Sequence, residues 1–482
     1  MQLQSLFSFY GTIIMILGGA LILPVFPGLY YGEKEWNIFL FLGVITFLVG
    51  FILNRTTLKY RDQLFLREAL LLVPSSWLIA SIISTVIYLL TKTFDNITDA
   101  FFESMAGFTT TGATVVLDLE MVPHAVLFWR SITHWLGGMG IIILFIALMS
   151  SLKIGATQLF RAEIPGGIVQ KIKPRISQTA LVLWITYAGM TVAAILLLWL
   201  AGMPFFDALC HGLLTVATAG ASIKNENIGF YDNNLIYWVI TIFMFLAGSN
   251  FVLYYSALKE RSLLKFWHNA EFRLYTKIIL AFTVIMFGHF MLSENVTVAE
   301  ALTLASFSVV SSTTTTGFTI VDYQNWSFFA QALVILLLLI GGCSGSTSGS
   351  IKVGRYLILF KQFMTELRLA VHPRAIINLK MDGKKVEEEL IINVLTYFFV
   401  FMFLVFLGTL FLTFLGLDIL TSFSATIGCI TNGGLGLAQV GPGQNFNIIP
   451  PLGKYMLTLL MFLGRLEIVT VLVLFSPAFW RK

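Results

Sequence analysis

Four short stretches of this 482-residue chain combine hydroxyls, small side chains and a glycine in fourth place. They are Thr109-Thr110-Thr111-Gly112-Ala113-Thr114, Ala217-Thr218-Ala219-Gly220-Ala221-Ser222, Thr314-Thr315-Thr316-Gly317-Phe318-Thr319 and Thr431-Asn432-Gly433-Gly434-Leu435-Gly436. The chemistry open to such residues is ion ligation by oxygen, because glycine readily takes the positive-φ conformations that let successive carbonyls point at a dehydrated cation. Four such loops around one axis meet the physical requirement for a cation filter. Thr110, Thr111, Gly112, Thr218, Ala219, Gly220, Thr315, Thr316, Gly317, Asn432, Gly433 and Gly434 are the candidate filter residues. Position aligns Gly434 with the other three glycines, and Gly433 is the alternative. A single copy would read as a Gly/Thr turn between antiparallel membrane helices; four copies favour the filter.

The elements that must carry these loops are membrane helices. A soluble chain holds about 25% charged residues, whereas this one has 11% charged and 57% hydrophobic residues and a mean hydropathy of +0.86. With about 20 apolar residues needed to cross a bilayer, candidate spans fall near 5–27, 37–54, 69–92, 124–150, 179–202, 234–257, 274–293, 327–341, 351–361, 390–415 and 450–475. The pieces at 327–341 and 351–361 read as one interrupted span. The first span has no basic leader or small-residue cleavage site and reads as a retained helix. Short apolar helices expected at 99–108, 207–216, 301–312 and 419–429 are too brief to span. They fit descending pore helices whose negative C-terminal ends face a cation path. Asp99, Asp207, Glu300 and Asp418 near their starts suit the positive end of each helix dipole. The expected fold is an all-α polytopic membrane protein with two N-terminal helices in 1–68. Four helix, pore-loop, helix repeats follow in pseudo-fourfold arrangement around a central pore, at 69–178, 179–273, 274–389 and 390–482. The third includes an intramembrane loop at 341–350 and a cytoplasmic loop.

Orientation follows from the basic residues. Segments 55–67, 153–175, 259–277, 352–385 and the last two residues hold 24 of the 30 Lys and Arg, which makes them cytoplasmic. Both termini come out cytoplasmic and all four glycine loops external, on a face carrying Asp118, Glu120, Glu226, Asp232 and Asp322. The net charge of +5 therefore reflects topology, and no nucleic-acid partner is expected. Cys210, Cys343 and Cys429 have no Cys-x-x-Cys spacing and imply neither a disulfide framework nor a zinc site.

Phe102-Glu103-Ser104 with Gly107 to Gly112, Trp135-Leu136-Gly137-Gly138-Met139-Gly140, Gly248-Ser249-Asn250-Phe251, Thr313 to Phe318, Gly341 to Gly349 and Gly464-Arg465-Leu466-Glu467 form a specific set. Through it the chain resembles, over essentially its whole length, the superfamily of Trk, Ktr and HKT cation transporters. The two helices ahead of the first pore unit place it nearest the Trk-H branch. The resemblance implies potassium uptake through a selective, channel-like pore, with no covalently bound cofactor. Potassium, the substrate ion, would be held at Thr111, Gly112, Ala219, Gly220, Thr316, Gly317, Gly433 and Gly434. It also implies a homodimer in the bacterial cytoplasmic (inner) membrane, surrounded by lipid. A cytosolic nucleotide-binding subunit of TrkA type, sensing NAD or ATP, would regulate it. Glycine in every filter loop accompanies potassium preference in the family, and serine in the first loop accompanies sodium preference in some plant members, so Gly112 places this chain with the former. Its fourth loop departs from the Asn-Asn pair and Gly-Pro-Gly of many relatives. The second, with Ala217 and Ala219, carries fewer hydroxyls; the resemblance implies a filter that binds ions mainly through backbone carbonyls, so selectivity is expected to survive, less strict than in fully symmetric potassium channels.

Beneath the filter, Gly341 to Ser350 interrupts the apolar run 327–360. Glycine costs about 1 kcal/mol per helical position, and freed backbone groups at membrane depth must be buried in protein or face water. The resemblance makes this a flexible loop under the filter, with Gly345, Ser346, Thr347 and Gly349 as gate residues; the alternative is a close helix crossing of small residues. Arg465 and Glu467 lie in the last apolar helix, where a charge faces a cavity or a partner. The resemblance projects Arg465 into the conduction path as a barrier to cations. A packing pair with Glu467 or with backbone is the alternative, although residues two apart do not face each other on a helix. Arg130 and His134, one turn apart, read as structural pairing or snorkelling rather than a proton relay. The basic stretch 366–389, with an Asp382-Gly383 hairpin turn, is a candidate docking surface for the regulatory subunit or a lipid-facing topogenic segment.

Two other function classes compete. Gly342-Cys343-Ser344-Gly345 fits a serine nucleophile pattern, but such a serine needs a base within hydrogen-bond reach, and the one histidine after it is His372. Phosphate-loop and zinc-protease motifs are missing from the sequence, so the chain is not expected to be an enzyme. A secondary carrier, cation- or proton-coupled, with a midplane site on broken helices is the stronger rival. Inverted repeats would alternate in orientation, whereas all four units here begin on the cytoplasmic side.

Overall fold

The protein's structure, a computed structural model, describes residues 3–60, 66–140, 176–262, 264–293, 296–375 and 377–481. The second half of the expected span 124–150 and the basic segment 153–175 lie outside the described residues. Leu3–Ile22 and Trp36–Thr57 form an N-terminal hairpin. Their backbones touch because glycines line the crossing: a Cβ on Gly11 would stand 2.5 Å from the Asn54 nitrogen, and one on Gly18 2.5 Å from that of Phe47. Glu33, beyond the connecting helix Val25–Tyr30, accepts from the Ala125 amide at 2.9 Å and pairs with His124. The hairpin thereby caps the start of the helix His124–Gly138.

From there the chain runs four times through one order. A long apolar helix comes first: Leu66–Leu90, Ile176–Leu200, Ala270–Ser293 or Glu388–Phe414. Each is long and apolar enough to cross a membrane, as are both helices of the hairpin, which makes this a multi-pass membrane protein. A pore helix follows: Ile97–Phe108, Phe205–Val216, Val298–Thr313 or Ile419–Ile430. After the glycine loop comes a second helix: His124–Gly138, Asn234–Ala247, Phe328–Ile340 or Pro451–Arg465. The all-α, pseudo-fourfold arrangement expected from the sequence is present. A hairpin of Lys380–Met381 against Lys384–Lys385 closes at the expected Asp382-Gly383 turn.

The second helices correct the sequence reading. It placed an interruption only in the third repeat, yet Asn234–Ala247 turns by 90° into Phe251–Glu260 and Pro451–Arg465 by 114° into Ile468–Phe475. Asn250 starts a new helix by accepting from the Val252 amide at 2.8 Å. Glu467 adopts φ +62° and turns its carboxylate to Arg355. The apolar residues on either side keep hydropathy high through both bends, which is why they read as continuous spans.

Buried charges tie the repeats together. Arg130 pairs with Glu103 at 2.6 Å and donates to the Ser222 carbonyl at 2.7 Å. Glu103 also accepts from the Val115 amide and the Thr114 hydroxyl, both at 3.0 Å. One ion pair thus links the first pore helix, the outer limb of its loop and the outer limb of the second loop. The structural reading of Arg130 fits this contact, and His134 Nδ1 lies 2.8 Å from the Arg130 carbonyl. Lys454 pairs with Asp99 in the same way across repeats four and one. Removing one partner of a buried pair strands the other charge at a cost of about 3–5 kcal/mol. Glu103→Leu is therefore expected to lower the thermal midpoint of the detergent-solubilised protein sharply, and Glu103→Leu with Arg130→Met to recover part of the loss; equal midpoints for the single and double variants would contradict this pairing.

Candidate functional site

Three of the four pore helices are fixed at their start by a side-chain cap. The Asn96 side chain accepts from the Asp99 amide at 2.8 Å, Thr297 and Glu300 form a capping box, and Asp418 accepts from the Thr421 amide at 2.9 Å. Asp418 is therefore the cap itself, whereas Asp99, Asp207 and Glu300 sit in the first turn. Pro204 precedes the second pore helix without a side-chain cap.

All four helices end in one backbone motif. The first loop residue donates its N–H four residues back, the second three back and the third five back into the pore helix, at 2.9–3.2 Å throughout. This Schellman-type ending demands a left-handed residue after the helix cap. Here it is Thr110, Thr218, Thr315 and Asn432, at φ +55°, +51°, +52° and +54°. β-Branched residues rarely hold that conformation, and strain of about 1–2 kcal/mol each persists only where the surroundings over-determine it. Two positions on, Gly112, Gly220, Gly317 and Gly434 have φ +75°, +62°, +84° and +62°. Gly434, not Gly433, thus matches the other three.

The four glycines form a closed ring. A Cβ on Gly112 would lie 2.0 Å from the Ala219 carbonyl oxygen, on Gly220 2.0 Å from that of Thr316, on Gly317 2.2 Å from that of Gly433, and on Gly434 2.2 Å from that of Thr111. Each repeat lays its glycine against the third-position carbonyl of the next, and the fourth closes on the first. The ring contacts are made by the four glycines and by Thr111, Ala219, Thr316 and Gly433; Thr110, Thr218, Thr315 and Asn432 are the left-handed residues that precede them. The hydroxyls brace it from behind: Thr109 Oγ1 lies 2.8 Å from Thr111 Oγ1 and Thr314 Oγ1 2.7 Å from Thr316 Oγ1. Asn432 donates to the Met461 carbonyl at 2.9 Å and to Thr111 Oγ1 at 3.1 Å. Ala217 and Ala219 lack the brace but keep the backbone trace. Outside the ring a cavity of about 490 Å³ is lined by all four glycines, with Glu226, Asp322 and Lys224 on its walls. Asp118 accepts from Asn225 Nδ2 at 2.8 Å and from the Glu120 amide at 3.0 Å, which orients its carboxylate.

On the other side of the ring lie the breaks of the second helices. The Thr347 hydroxyl is 3.1 Å from the carbonyl of Val216, the last residue of the second pore helix, and the Gly349 amide donates to Thr315 Oγ1 at 2.8 Å. A Cβ on Gly349 would meet the Thr431 carbonyl at 2.1 Å. Gly345 and Ser346 sit further out: the Gly345 carbonyl accepts from the Phe251 amide at 3.1 Å, and Ser346 Oγ donates to Cys343 at 2.6 Å. Arg465 is the last residue of its helix, not the middle of a continuous one. Its guanidinium donates to the Thr347 carbonyl at 2.8 Å and to the Gly137 and Gly138 carbonyls at 2.7 and 2.6 Å. Glu467 pairs instead with Arg355, which stacks over the Tyr397 ring at 3.8 Å. The sequence reading did not find that partner, 112 positions away. Nor did it single out Glu271, whose carboxylate accepts from the Ser344 amide at 2.6 Å and the Gly354 amide at 2.9 Å. An acid heading an apolar run was its one available signal. Ser344 is buried beside the Glu271 carboxylate, which its amide helps to hold.

A multi-pass membrane protein whose four repeats close one ring of glycines and carbonyls is a class defined by fold and site together. The chain belongs to the TrkH family: the family's sequence model, described as a cation transport protein, matches residues 35–482. It is 36% identical over 488 residues, covering 100% of both chains, to the Trk system potassium uptake protein TrkH of Salmonella typhimurium (strain LT2). It is 34% identical over 476 residues to the Trk system potassium uptake protein TrkG of Escherichia coli (strain K12), covering 98% of this chain and 97% of the relative. The crystal structure of the potassium transporter TrkH from Vibrio parahaemolyticus superposes with a TM-score of 0.91 at 31% identity, covering 100% of both chains.

The ring separates the two glycines of the fourth loop. Gly434 has positive φ and a neighbouring carbonyl in the space of its Cβ, whereas at Gly433 the nearest obstacle is Leu338 Cδ1, the end of a flexible side chain. Alanine also occupies the equivalent place in loop two, at Ala219. Gly434→Ala is expected to abolish ion-selective flux in proteoliposomes and Gly433→Ala to retain a substantial part of it; the reverse order would contradict the assignment.

Proposed function

We propose that this protein takes up potassium through a selective, channel-like pore in the bacterial inner membrane, with both termini cytoplasmic. The observation that carries the proposal is the closed glycine–carbonyl ring. Potassium sheds water at carbonyls of Thr111, Gly112, Ala219, Gly220, Thr316, Gly317, Gly433 and Gly434. Pore-helix C-terminal ends directed at the path add favourable dipoles. The names of the relatives, Trk system potassium uptake proteins, support the choice of ion. Below the ring, Arg465 and the loop with Gly345, Ser346, Thr347 and Gly349 close the path. A guanidinium held by three carbonyls in a region of low dielectric repels an approaching cation. In this reading the protein works as a homodimer. A cytosolic nucleotide-binding subunit, docked on the basic stretch 366–389, releases the barrier.

The test is cation flux into liposomes holding the purified protein. Potassium and rubidium should pass in preference to sodium and lithium without a proton gradient, and Gly112→Ser should erode that preference, since its Cβ falls on the Ala219 carbonyl. Flux that demands a proton gradient, or is indifferent to Gly112, would put a coupled carrier in its place. Arg465→Ala should raise basal flux at equal protein content; unchanged or lower flux would remove the guanidinium from the barrier.

A further inference from the structure

We propose that Glu271 is the clasp that holds the intramembrane loop shut, and that the hairpin turn at Asp382 sets this clasp. The inference rests on the reading of that loop as the barrier under the ring. Glu271 is the second residue of the helix Ala270–Ser293 and is buried. Its Oε1 accepts from the amide of Ser344, near the start of the loop, and from that of Gly354, just past its end, at 2.6 and 2.9 Å. One oxygen therefore ties together two points on either side of Thr347 and Gly349. The carboxylate is packed directly on backbone, since a Cβ on Gly354 would stand 2.7 Å from the same oxygen. Hydrogen bonds from backbone N–H to a buried carboxylate are charge-assisted and about twice as strong as neutral ones.

The clasp is wired to the hairpin of Lys380–Met381 and Lys384–Lys385. The amide of Ala270, the residue next to Glu271, donates to Asp382 Oδ1 at 3.0 Å. Lys361, on the helix Val353–Val371 that begins where the loop ends, donates to the Lys380 carbonyl of the same hairpin at 2.6 Å. Loop, Glu271, helix start, hairpin and following helix thus form a closed circuit. A partner that displaces the hairpin would pull on the helix start that carries the clasp. Glu271 touches no ion in this scheme; it is a positioning residue.

The experiment compares the wild-type chain with Glu271→Gln, Asp382→Ala and Arg465→Ala in proteoliposomes without any partner protein. It reads rubidium flux, cation ranking and hydrogen–deuterium exchange of peptides within 341–356. Glutamine keeps an acceptor oxygen but loses the charge, so basal flux should rise about fivefold, as expected when a charge-assisted bond becomes a neutral one. Exchange across 341–356 should quicken, and the cation ranking should stay unchanged because the ring is untouched. Asp382→Ala should move flux and exchange in the same direction by less. If Arg465→Ala opens the path while Glu271→Gln leaves flux at the wild-type value, the clasp is wrong and the barrier stands. If neither opens it, the barrier reading falls and takes the clasp with it. A loss of cation ranking in Glu271→Gln would mean general distortion and would overturn the specific role. Wild-type flux and exchange in Asp382→Ala would overturn the link to the hairpin.

Discussion

Four carbonyl oxygens stand where four side chains would otherwise begin. At Gly112, Gly220, Gly317 and Gly434 the volume of a Cβ is filled by the third-position carbonyl of the next repeat, at 2.0–2.2 Å. Even alanine would push the loops apart, and the constraint is mutual, because each loop both supplies a carbonyl and receives one. The positive φ at these glycines is a second, independent requirement. Together they fix the diameter of the ring through backbone alone. Ala219 can therefore stand where other loops have threonine without breaking the trace.

The rest of the fold holds that ring closed. Loop amides are turned back into the pore helices, which forces three threonines and Asn432 into left-handed conformations. Three of the pore helices are capped at their outer ends, and the pairs Arg130–Glu103 and Lys454–Asp99 hold the first against its neighbours. At their inner ends, they rest on the breaks of the second helices. A Cβ on Gly137 would lie 2.0 Å from the Phe108 carbonyl, and one on Gly464 2.0 Å from that of Ile430. The breaks are thus as much a part of the ring's support as the pore helices. They also bring Arg465 and the 341–352 segment against its lower side, where backbone outside a helix is tolerated because protein surrounds it.

Much of this was legible in the sequence. The fourfold repeat showed itself because glycine, threonine and half-length apolar helices recur in a fixed order, and local chemistry dictates both. The pairing of one repeat's glycine with the next repeat's carbonyl did not, since neither partner's residue type reports on the other. The bends after Ala247 and Arg465 were hidden by apolar neighbours that keep hydropathy high across them, although Asn250 and Glu467 are there to end a helix. Long-range partners such as Arg355 for Glu467 and Ser344 and Gly354 for Glu271 were out of reach, because a lone charge in an apolar run says that a partner exists without saying which. Gly433 and Gly434 are alike by type; position favours Gly434, and φ together with the carbonyl at its Cβ position separates the two.

The central claim, that the ring is where the ion sheds its water, is tested most directly by locating a heavy potassium substitute inside it. Anomalous diffraction from crystals of the protein grown in rubidium or thallium salt should place a peak on the axis, level with the carbonyls of Thr111, Ala219, Thr316 and Gly433 and equidistant from the four. A ring left empty at saturating ion, with the peak instead at the breaks beside Glu271 and Glu467, would contradict it.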